Sequence, residues 1–167
     1  MTRETYIRMT ESTRRMLSRL PGGVRLLRVP TLVCAAAYLI TLLFLMLARD
    51  LRLIRVLLVP AACFLICTAL RPMIGRRRPY DRFCAEPVGS FVRGKGKSMP
   101  SRHTASAAAI AFAVVYAYPA PVIITGMLLL FLLISALRVL GGQHYPSDVL
   151  AALALSTVVS LIGYVLI

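Results

Sequence analysis

The fold is decided by residues Thr104–Leu137, TASAAAIAFAVVYAYPAPVIITGMLLLFLLISAL, a stretch without a single charged side chain. Pro119 and Pro121 interrupt it near the middle, and prolines so close together predict a turn. At about 1.5 Å per helical residue, the part that follows Tyr118 is about 28 Å long, close to the thickness of a membrane hydrocarbon core. The part before the turn is shorter, and the whole stretch predicts a hairpin of two membrane helices.

Three more apolar runs surround this hairpin: Pro30–Ala48, Leu53–Leu70 with only Arg55 inside it, and Val149–Ile167. Hydrophobic residues make up 59% of the 167-residue chain. One soluble domain of this size could not cover so many apolar faces. The sequence therefore predicts an all-α fold, a polytopic membrane helical bundle of about five transmembrane helices, with residues 30–167 as the membrane-embedded domain.

The N-terminal segment, residues 1–29, carries neither the apolar core nor the small-residue cleavage site of a signal peptide. Most of its arginines lie off a stripe of less polar side chains at helical spacing. The stripe is Tyr6, Met9, Thr13, Met16, Leu17 and Leu20. Pro21 and two glycines then end the pattern. This predicts an amphipathic basic helix that lies on an anionic membrane surface, with a disordered basic tail as the alternative.

The chain is strongly basic: twenty Lys and Arg residues face six acidic residues, which gives a formal net charge of +14. In a chain that consists mostly of membrane spans, this charge favours anionic lipid headgroups as partners, and no nucleic-acid-binding motif is present. Cys34, Cys63 and Cys67 lie in apolar runs, and Cys84 stands alone in a polar loop. This arrangement predicts neither a disulfide framework nor a zinc site.

Counting the membrane crossings places the polar residues of three segments on one side of the membrane. If the second apolar run ends on a given side, the basic loop 71–102 lies there, the hairpin returns there at Arg138, and the last run departs from there after Asp148. His103 and His144, the two histidines of the chain, therefore converge with that carboxylate and the densest arginines. Ionisable groups at membrane level are costly and tend to be functional, so this cluster is the predicted site.

The residue types in the cluster suit a phosphate ligand, because arginine forks match phosphate oxygens. The candidate ligands are Arg71, Arg78, Arg102 and Arg138. Ser101 supplies a hydroxyl where a helix begins, and free backbone N–H groups at a helix start favour anions. One histidine can attack phosphorus while the other protonates the leaving oxygen, and Asp148 can orient His144 from four residues away. The few acids form no cluster for magnesium, so the expected mechanism needs no metal and no cofactor.

Three motifs carry a resemblance to a known family. They are Arg71-x6-Arg78-Pro79, Pro100-Ser101-Arg102-His103 and Arg138-x5-His144-x3-Asp148. In order and spacing they resemble K-x6-R-P, P-S-G-H and S-R-x5-H-x3-D of the type-2 phosphatidic acid phosphatase family, over about residues 53–160. The resemblance implies a membrane phosphatase of lipid phosphates that works through a phosphohistidine intermediate. It implies the following roles: His144 as nucleophile, Asp148 as its partner, His103 as general acid, and Arg71, Arg78, Ser101 and Arg138 as phosphate ligands.

Three positions depart from the family pattern. Arg71 stands for a lysine, Leu137 replaces the serine of the third motif, and Arg102 replaces the glycine of P-S-G-H. Glycine allows a close approach of the backbone to phosphate, so an arginine here is expected to alter specificity rather than abolish activity. The predicted five spans also stand where members of the family commonly have six.

The resemblance leaves the substrate open between an isoprenoid diphosphate, such as undecaprenyl diphosphate, and a phosphatidate-type lipid. A non-catalytic relative that binds or translocates anionic lipid is the alternative function. An anion transporter is a weaker one, because no predicted span carries a charge at mid-membrane.

Two arguments bear on the side of the cell membrane that carries the site, and they oppose each other. Most basic residues lie on its side, which the positive-inside rule places in the cytoplasm. The family resemblance suggests the outer face, as for most bacterial members, and the extracytoplasmic face is our expectation. The oligomeric state is not predicted by any pattern in the sequence.

Overall fold

The computed structural model describes residues 1–89, 91, 93 and 97–166, and within these ranges every regular element is a helix. In chain order the elements are α1 (Arg3–Ser18), the 3₁₀ helix η1 (Gly23–Arg28), α2 (Val29–Leu47), α3 (Arg52–Ile74), α4 (Pro79–Phe83), α5 (Arg102–Ala117), α6 (Pro121–Leu140) and α7 (Pro146–Leu161), which continues as a π-helical turn over Ile162–Leu166. Each of the five predicted apolar runs is a helix. Lys95 of the basic loop and Ile167 of the last run lie outside the described residues.

The helices have the lengths and surfaces of a membrane protein. In the described part of the chain, four stretches are long and apolar enough to cross a bilayer: Gly23–Leu47, Arg52–Phe83, Pro121–Leu140 and Pro146–Leu166. Large apolar side chains on their outer faces, such as Leu39, Leu65 and Leu129, are exposed, which is the expected arrangement when lipid tails surround a bundle. The predicted all-α membrane bundle is confirmed.

Helix α5, the predicted span that is not among these four stretches, is the central helix of the bundle. With 16 residues it is about 24 Å long, and it contacts α2, α3, α6 and α7. One side of it presents alanines four residues apart, all buried: Ala105, Ala109, Ala113 and Ala117. Such small side chains let neighbouring backbones approach closely in a membrane. The hydroxyl of Ser156 in α7 donates to the carbonyl of Ala105 at 3.0 Å and adds a polar tie between the two helices.

Helix α1 lies on the polar end of the bundle, against η1 and α6. Its buried side chains are Tyr6, Thr10, Thr13 and Leu17. Of the predicted stripe, Met16 and Leu20 are exposed instead. The amphipathic helix is therefore present, but its buried side faces the rest of the protein. Contact of its exposed basic side with an anionic membrane surface stays a prediction.

Candidate active site

The chain returns from α6 to α7 through a short turn that carries His144 and leads into Asp148. Pro146 begins α7, and the Asp148 carboxylate accepts a hydrogen bond from the Tyr145 backbone N–H at 2.9 Å, which caps the helix. The same carboxylate oxygen lies 3.5 Å from Nδ1 of His144. Both side chains are almost fully buried, at 2% exposure for His144 and 0% for Asp148. The predicted pair is thus formed by the helix start itself.

Two side chains that the three sequence motifs do not specify also hold Asp148. Arg76 places Nη1 at 2.8 Å from Asp148 Oδ1, and Ser98 donates its hydroxyl to Oδ2 at 2.5 Å. The Ser98 hydroxyl also lies 3.5 Å from His144 Nδ1. A buried carboxylate is costly unless it is paired and hydrogen-bonded. These contacts supply that pairing and fix the carboxylate beside the imidazole.

Burial lowers the pKa of the His144 imidazole below its usual range, because the charged ring is poorly solvated there. The hydrogen bond to Asp148 raises this pKa, and the nearby cations Arg78 and Arg71 lower it again. The direction that results favours the neutral ring. A neutral imidazole with Nδ1 turned to a carboxylate keeps Nε2 as its nucleophilic atom.

Four of the predicted site residues line one cavity of about 780 Å³: Arg78, Arg102, His103 and Arg138. Arg102 and His103 are exposed side chains at the start of α5. Arg138, His144, Arg102 and Arg78 are electrostatic neighbours of His103. The remaining walls include Tyr80, Phe91 and Gln143, and no acidic residue is among the described lining residues. The cavity is therefore suited to an anion.

Arg78 of the first motif and Arg138 of the third motif both line the cavity. The Nε atom of Arg78 is buried and has no hydrogen-bond partner among the described residues. Arg138 donates from Nη1 to Gln143 Oε1 at 2.6 Å, and its carbonyl accepts from the His144 backbone N–H at 3.2 Å. The end of α6 is thereby tied to the turn that carries His144.

Arg71 and Ser101 are buried and do not line the cavity. Arg71 donates to the carbonyl of Lys97, and its electrostatic neighbours include Arg102, Arg78 and Asp148. The Ser101 hydroxyl accepts from Thr104 Oγ1 at 3.0 Å, and its backbone N–H donates to the Asp148 carbonyl at 3.1 Å. Both residues support the loop around the site, and direct phosphate contact stays a prediction for each.

A smaller cavity of about 400 Å³ adjoins the first, because Thr31, Arg102 and His103 line both. Its other walls are mostly apolar and come from α2, α3, α5 and α6. They include Cys34, Ala35, Phe64, Ala107, Ile110 and Ile134. A polar cavity with an apolar neighbour is an arrangement that suits an amphiphilic ligand.

A further contact that the sequence did not reveal joins α1 to the histidine turn. The Tyr6 hydroxyl donates to the carbonyl of Gly142 at 3.2 Å. Gly142 has φ +72°, and a Cβ there would lie 2.6 Å from both the Tyr6 hydroxyl and Thr10 Cγ2. Only glycine fits this position without strain. The Gly-Gly pair before His144 was the available signal, but its partner in α1 lies far away in sequence.

The donor set gives no sign of a metal centre. Within residues 1–89, 91, 93 and 97–166, no group of three or more His, Cys, Asp or Glu side chains converges. Asp148 is paired with Arg76 and hydrogen-bonded to Ser98. Metal-independent chemistry remains the prediction of the sequence.

Comparison with known proteins agrees with the motifs and the fold. The chain is similar to a solved structure described as the first transmembrane PAP2 type phosphatidylglycerolphosphate phosphatase from Bacillus subtilis. The TM-score is 0.69, the sequence identity is 20%, and the match covers 96% of this chain and 83% of that chain. At this identity the likeness concerns the fold. No curated protein matches the sequence. A family model described as the PAP2 superfamily matches residues 52–167, so the chain belongs to the PAP2 superfamily.

Proposed function

We propose that this chain is an integral membrane lipid phosphatase that hydrolyses the phosphate monoester or diphosphate of a lipid through a phosphohistidine intermediate. The observation that carries the proposal is the buried His144–Asp148 pair, whose imidazole is an electrostatic neighbour of His103. His103 and three motif arginines line the larger cavity, and His144 lies behind this wall, next to the lining residue Gln143 in the chain. Membership of the PAP2 superfamily supports a phosphatase in general.

The first step transfers the phosphoryl group to His144. The arginines that line the cavity neutralise the phosphate and stabilise the charge of the transition state. Nε2 of the neutral His144 attacks phosphorus, and the N–P bond forms as the bond to the lipid oxygen breaks. Partial burial and the nearby cations lower the pKa of His103 in the free protein, and a bound phosphate opposes this shift because its negative charge favours the imidazolium form. In the complex, protonated His103 gives its proton to the leaving oxygen.

The second step returns the enzyme to its starting state. His103, now neutral, takes a proton from a water molecule while the oxygen of that water attacks phosphorus. The N–P bond breaks, inorganic phosphate leaves, and His144 is neutral again. Asp148 stabilises the positive charge that His144 carries while it is phosphorylated, and it holds the ring by Nδ1 throughout.

A lipid substrate is supported by the apolar cavity that adjoins the arginine-lined one. We place the reacting phosphate between Arg78 and Arg138, beside His103. Arg102 lines both cavities, and the first carbons of the lipid lie beside Phe64 and Ile110. The partners in this proposal are an anionic lipid phosphate and the cell membrane, with the site on the extracytoplasmic face.

The test uses the purified protein in detergent with phosphatidate, phosphatidylglycerophosphate and a polyprenyl diphosphate, and it measures phosphate release. His144→Ala should abolish release from every lipid. His103→Ala should slow release by about a hundredfold or more and accumulate an acid-labile phosphoenzyme when the leaving group is good. Release should persist in EDTA.

Three outcomes would overturn the proposal. They are turnover at the wild-type rate in either histidine variant, strict dependence on added magnesium, and lipid binding without any release of phosphate. The last result would establish the alternative, a non-catalytic protein that binds or translocates anionic lipid.

A further inference from the structure

The wall of the larger cavity that faces the motif residues comes from η1 and the start of α2. Val24, Arg25, Leu27 and Arg28 of η1 line it, together with Thr31 and Leu32. This segment precedes residues 52–167, the part that the family model matches. Its contribution to the site is therefore independent of the three motifs.

The position of η1 is fixed by packing on the turn that carries Gly89. A Cβ at Gly89 would lie 3.5 Å from Val24 Cγ1, 3.7 Å from Leu27 Cδ1 and 3.8 Å from Gln143 Nε2, so these three groups gather around it. Gln143 in turn holds Arg138. The apolar side of η1 is thus seated next to the motif arginine of α6.

The basic side of η1 adds two cations to the same cavity. In a 3₁₀ helix, side chains three residues apart eclipse each other, so Arg25 and Arg28 project in the same direction. Five arginines then line one space of about 780 Å³, and none of the described lining residues is acidic. Crowded like charges repel one another, and this arrangement is stable only when anions or water screen it.

One phosphate does not account for five arginines. Arg78 and Arg138 suffice for a single phosphoryl group beside His103, and the volume lies within the range of about 300–1,000 Å³ that sites for drug-sized ligands occupy. The simpler alternative is that Arg25 and Arg28 only flank a membrane span and help to set its orientation. Other basic residues of the N-terminal segment, such as Arg8 and Arg19, do not line the cavity, which sets these two apart.

We infer that Arg25 and Arg28 form a second anion subsite, which takes a second phosphate on the same lipid substrate. This inference rests on the proposed function, since it assumes that the first phosphate reacts at His144. The shared chemistry is a lipid with two phosphate groups. They can be linked directly, as in an isoprenoid diphosphate, or separated by a glycerol, as in phosphatidylglycerophosphate.

The kinetic test compares the wild type with the double variant Arg25→Gln/Arg28→Gln. We expect kcat/KM to fall about ten- to a hundredfold on both two-phosphate lipids, mainly through KM, because charge-assisted contacts of this strength are lost. On phosphatidate the change should be less than about threefold. The control Arg8→Gln/Arg19→Gln, which removes the same charge outside the cavity, should leave all three substrates unchanged. Equal losses on all lipids, or no loss, would overturn the subsite.

The two sources of the second phosphate are separated by the same data. A loss confined to the isoprenoid diphosphate assigns the subsite to directly linked phosphates, and a loss confined to phosphatidylglycerophosphate assigns it to the glycerol-spaced group.

A binding measurement keeps this inference separate from the proposed function. Inorganic diphosphate and inorganic phosphate are each titrated into the detergent-solubilised full chain by calorimetry. Diphosphate should bind about tenfold or more tightly than phosphate, and Arg25→Gln/Arg28→Gln should remove the difference. If the wild type binds diphosphate in this way but hydrolyses no lipid, the proposed function fails and the subsite stands. If both anions bind equally well, the subsite fails whatever the activity.

Discussion

Arg76 and Asp148 form an ion pair at 2.8 Å, and the carboxylate in this pair is the one that faces His144. The arginine is also stacked over the Tyr145 ring, with its Cζ 4.4 Å from the ring centroid. One cation therefore contacts both the carboxylate and Tyr145, the residue that directly precedes α7. A lost contact here would act on the histidine indirectly, through the position and charge of Asp148.

Arg76→Gln should lower kcat/KM by about tenfold or more, because a charge-assisted contact to a buried carboxylate is lost. It should also move the acid limb of the pH profile to higher pH. With its cation gone, Asp148 stabilises the imidazolium of His144 more strongly, so the pKa of His144 rises from its lowered value. The neutral nucleophile is then lost at a higher pH as the solution is acidified.

Two variants accompany this measurement. Arg77→Gln removes the same charge from an exposed neighbour and should change neither the rate nor the profile. Arg76→Lys should restore much of the activity. A drop in rate with an unmoved acid limb would contradict the positioning role of Arg76 and indicate a purely structural one.

Gly142→Ala tests the contact between α1 and the histidine turn. The added methyl would meet the Tyr6 hydroxyl and Thr10 at 2.6 Å, at a position with φ +72°. We expect a loss of about 1–3 kcal/mol in stability from the backbone conformation alone, and lower activity because the turn before His144 shifts. Thermal unfolding in detergent and phosphate release measure the two effects.

The matched control for this variant lies in α6. A Cβ at Gly126 would meet nothing within 4 Å, and alanine in a helix interior is better than glycine by about 0.5–1 kcal/mol. Gly126→Ala should therefore be neutral or slightly stabilising and fully active. If both glycine variants behave alike, the close approach of α1 to Gly142 is not what restrains the turn.

The helices could be predicted from the sequence because each one ends where the type of residue changes. Charged residues stop the apolar runs, and Pro119 and Pro121 separate α5 from α6. The convergence of His103, His144 and Asp148 followed from counting crossings, which needs no knowledge of packing. These features depend on composition along the chain, and they could be predicted well.

The sequence did not reveal which basic residues line the cavity and which one pairs with Asp148. The loop that contains Arg76 and Ser98 has no periodicity, so nothing distinguishes these residues from Arg77 or Lys97 before folding. Whether a motif side chain lines the cavity or lies beneath it depends on packing, as the buried Arg71 shows. The contribution of η1 to the cavity wall could not be predicted either, because η1 packs on Gly89, which lies more than sixty residues later along the chain.

Cys84 permits a test of the membrane orientation. It is exposed, whereas Cys34, Cys63 and Cys67 are buried, and it lies in the loop on the side of the site. In intact cells a membrane-impermeant maleimide should label the chain at Cys84, since we propose that this side is extracytoplasmic. Cys84→Ser should remove the label. Labelling that needs permeabilised cells would reverse the orientation and agree with the positive-inside rule.

Arg102 stands where the family pattern has glycine, and its exposed side chain lines both cavities beside His103. From this position it can contact a second phosphate or a headgroup oxygen while the other motif arginines hold the first. Arg102→Gly should stay active on phosphatidate but lose about ten- to a hundredfold in kcat/KM on two-phosphate lipids. Arg102→Gln is the matched variant, because it removes the charge and keeps a side chain at the helix start.

Combining Arg102→Gln with Arg25→Gln/Arg28→Gln shows whether the three arginines hold the same group. Residues that bind one phosphate lose less together than the sum of their separate losses, whereas independent residues add. We expect the combined loss in kcat/KM on a lipid diphosphate to fall short of the sum by about 0.5 kcal/mol or more. Additive losses would place Arg102 on the reacting phosphate alone. Losses of equal size on phosphatidate and diphosphate would show that this arginine does not select the substrate, and the absence of a loss on both lipids would show that its side chain only extends to the membrane surface.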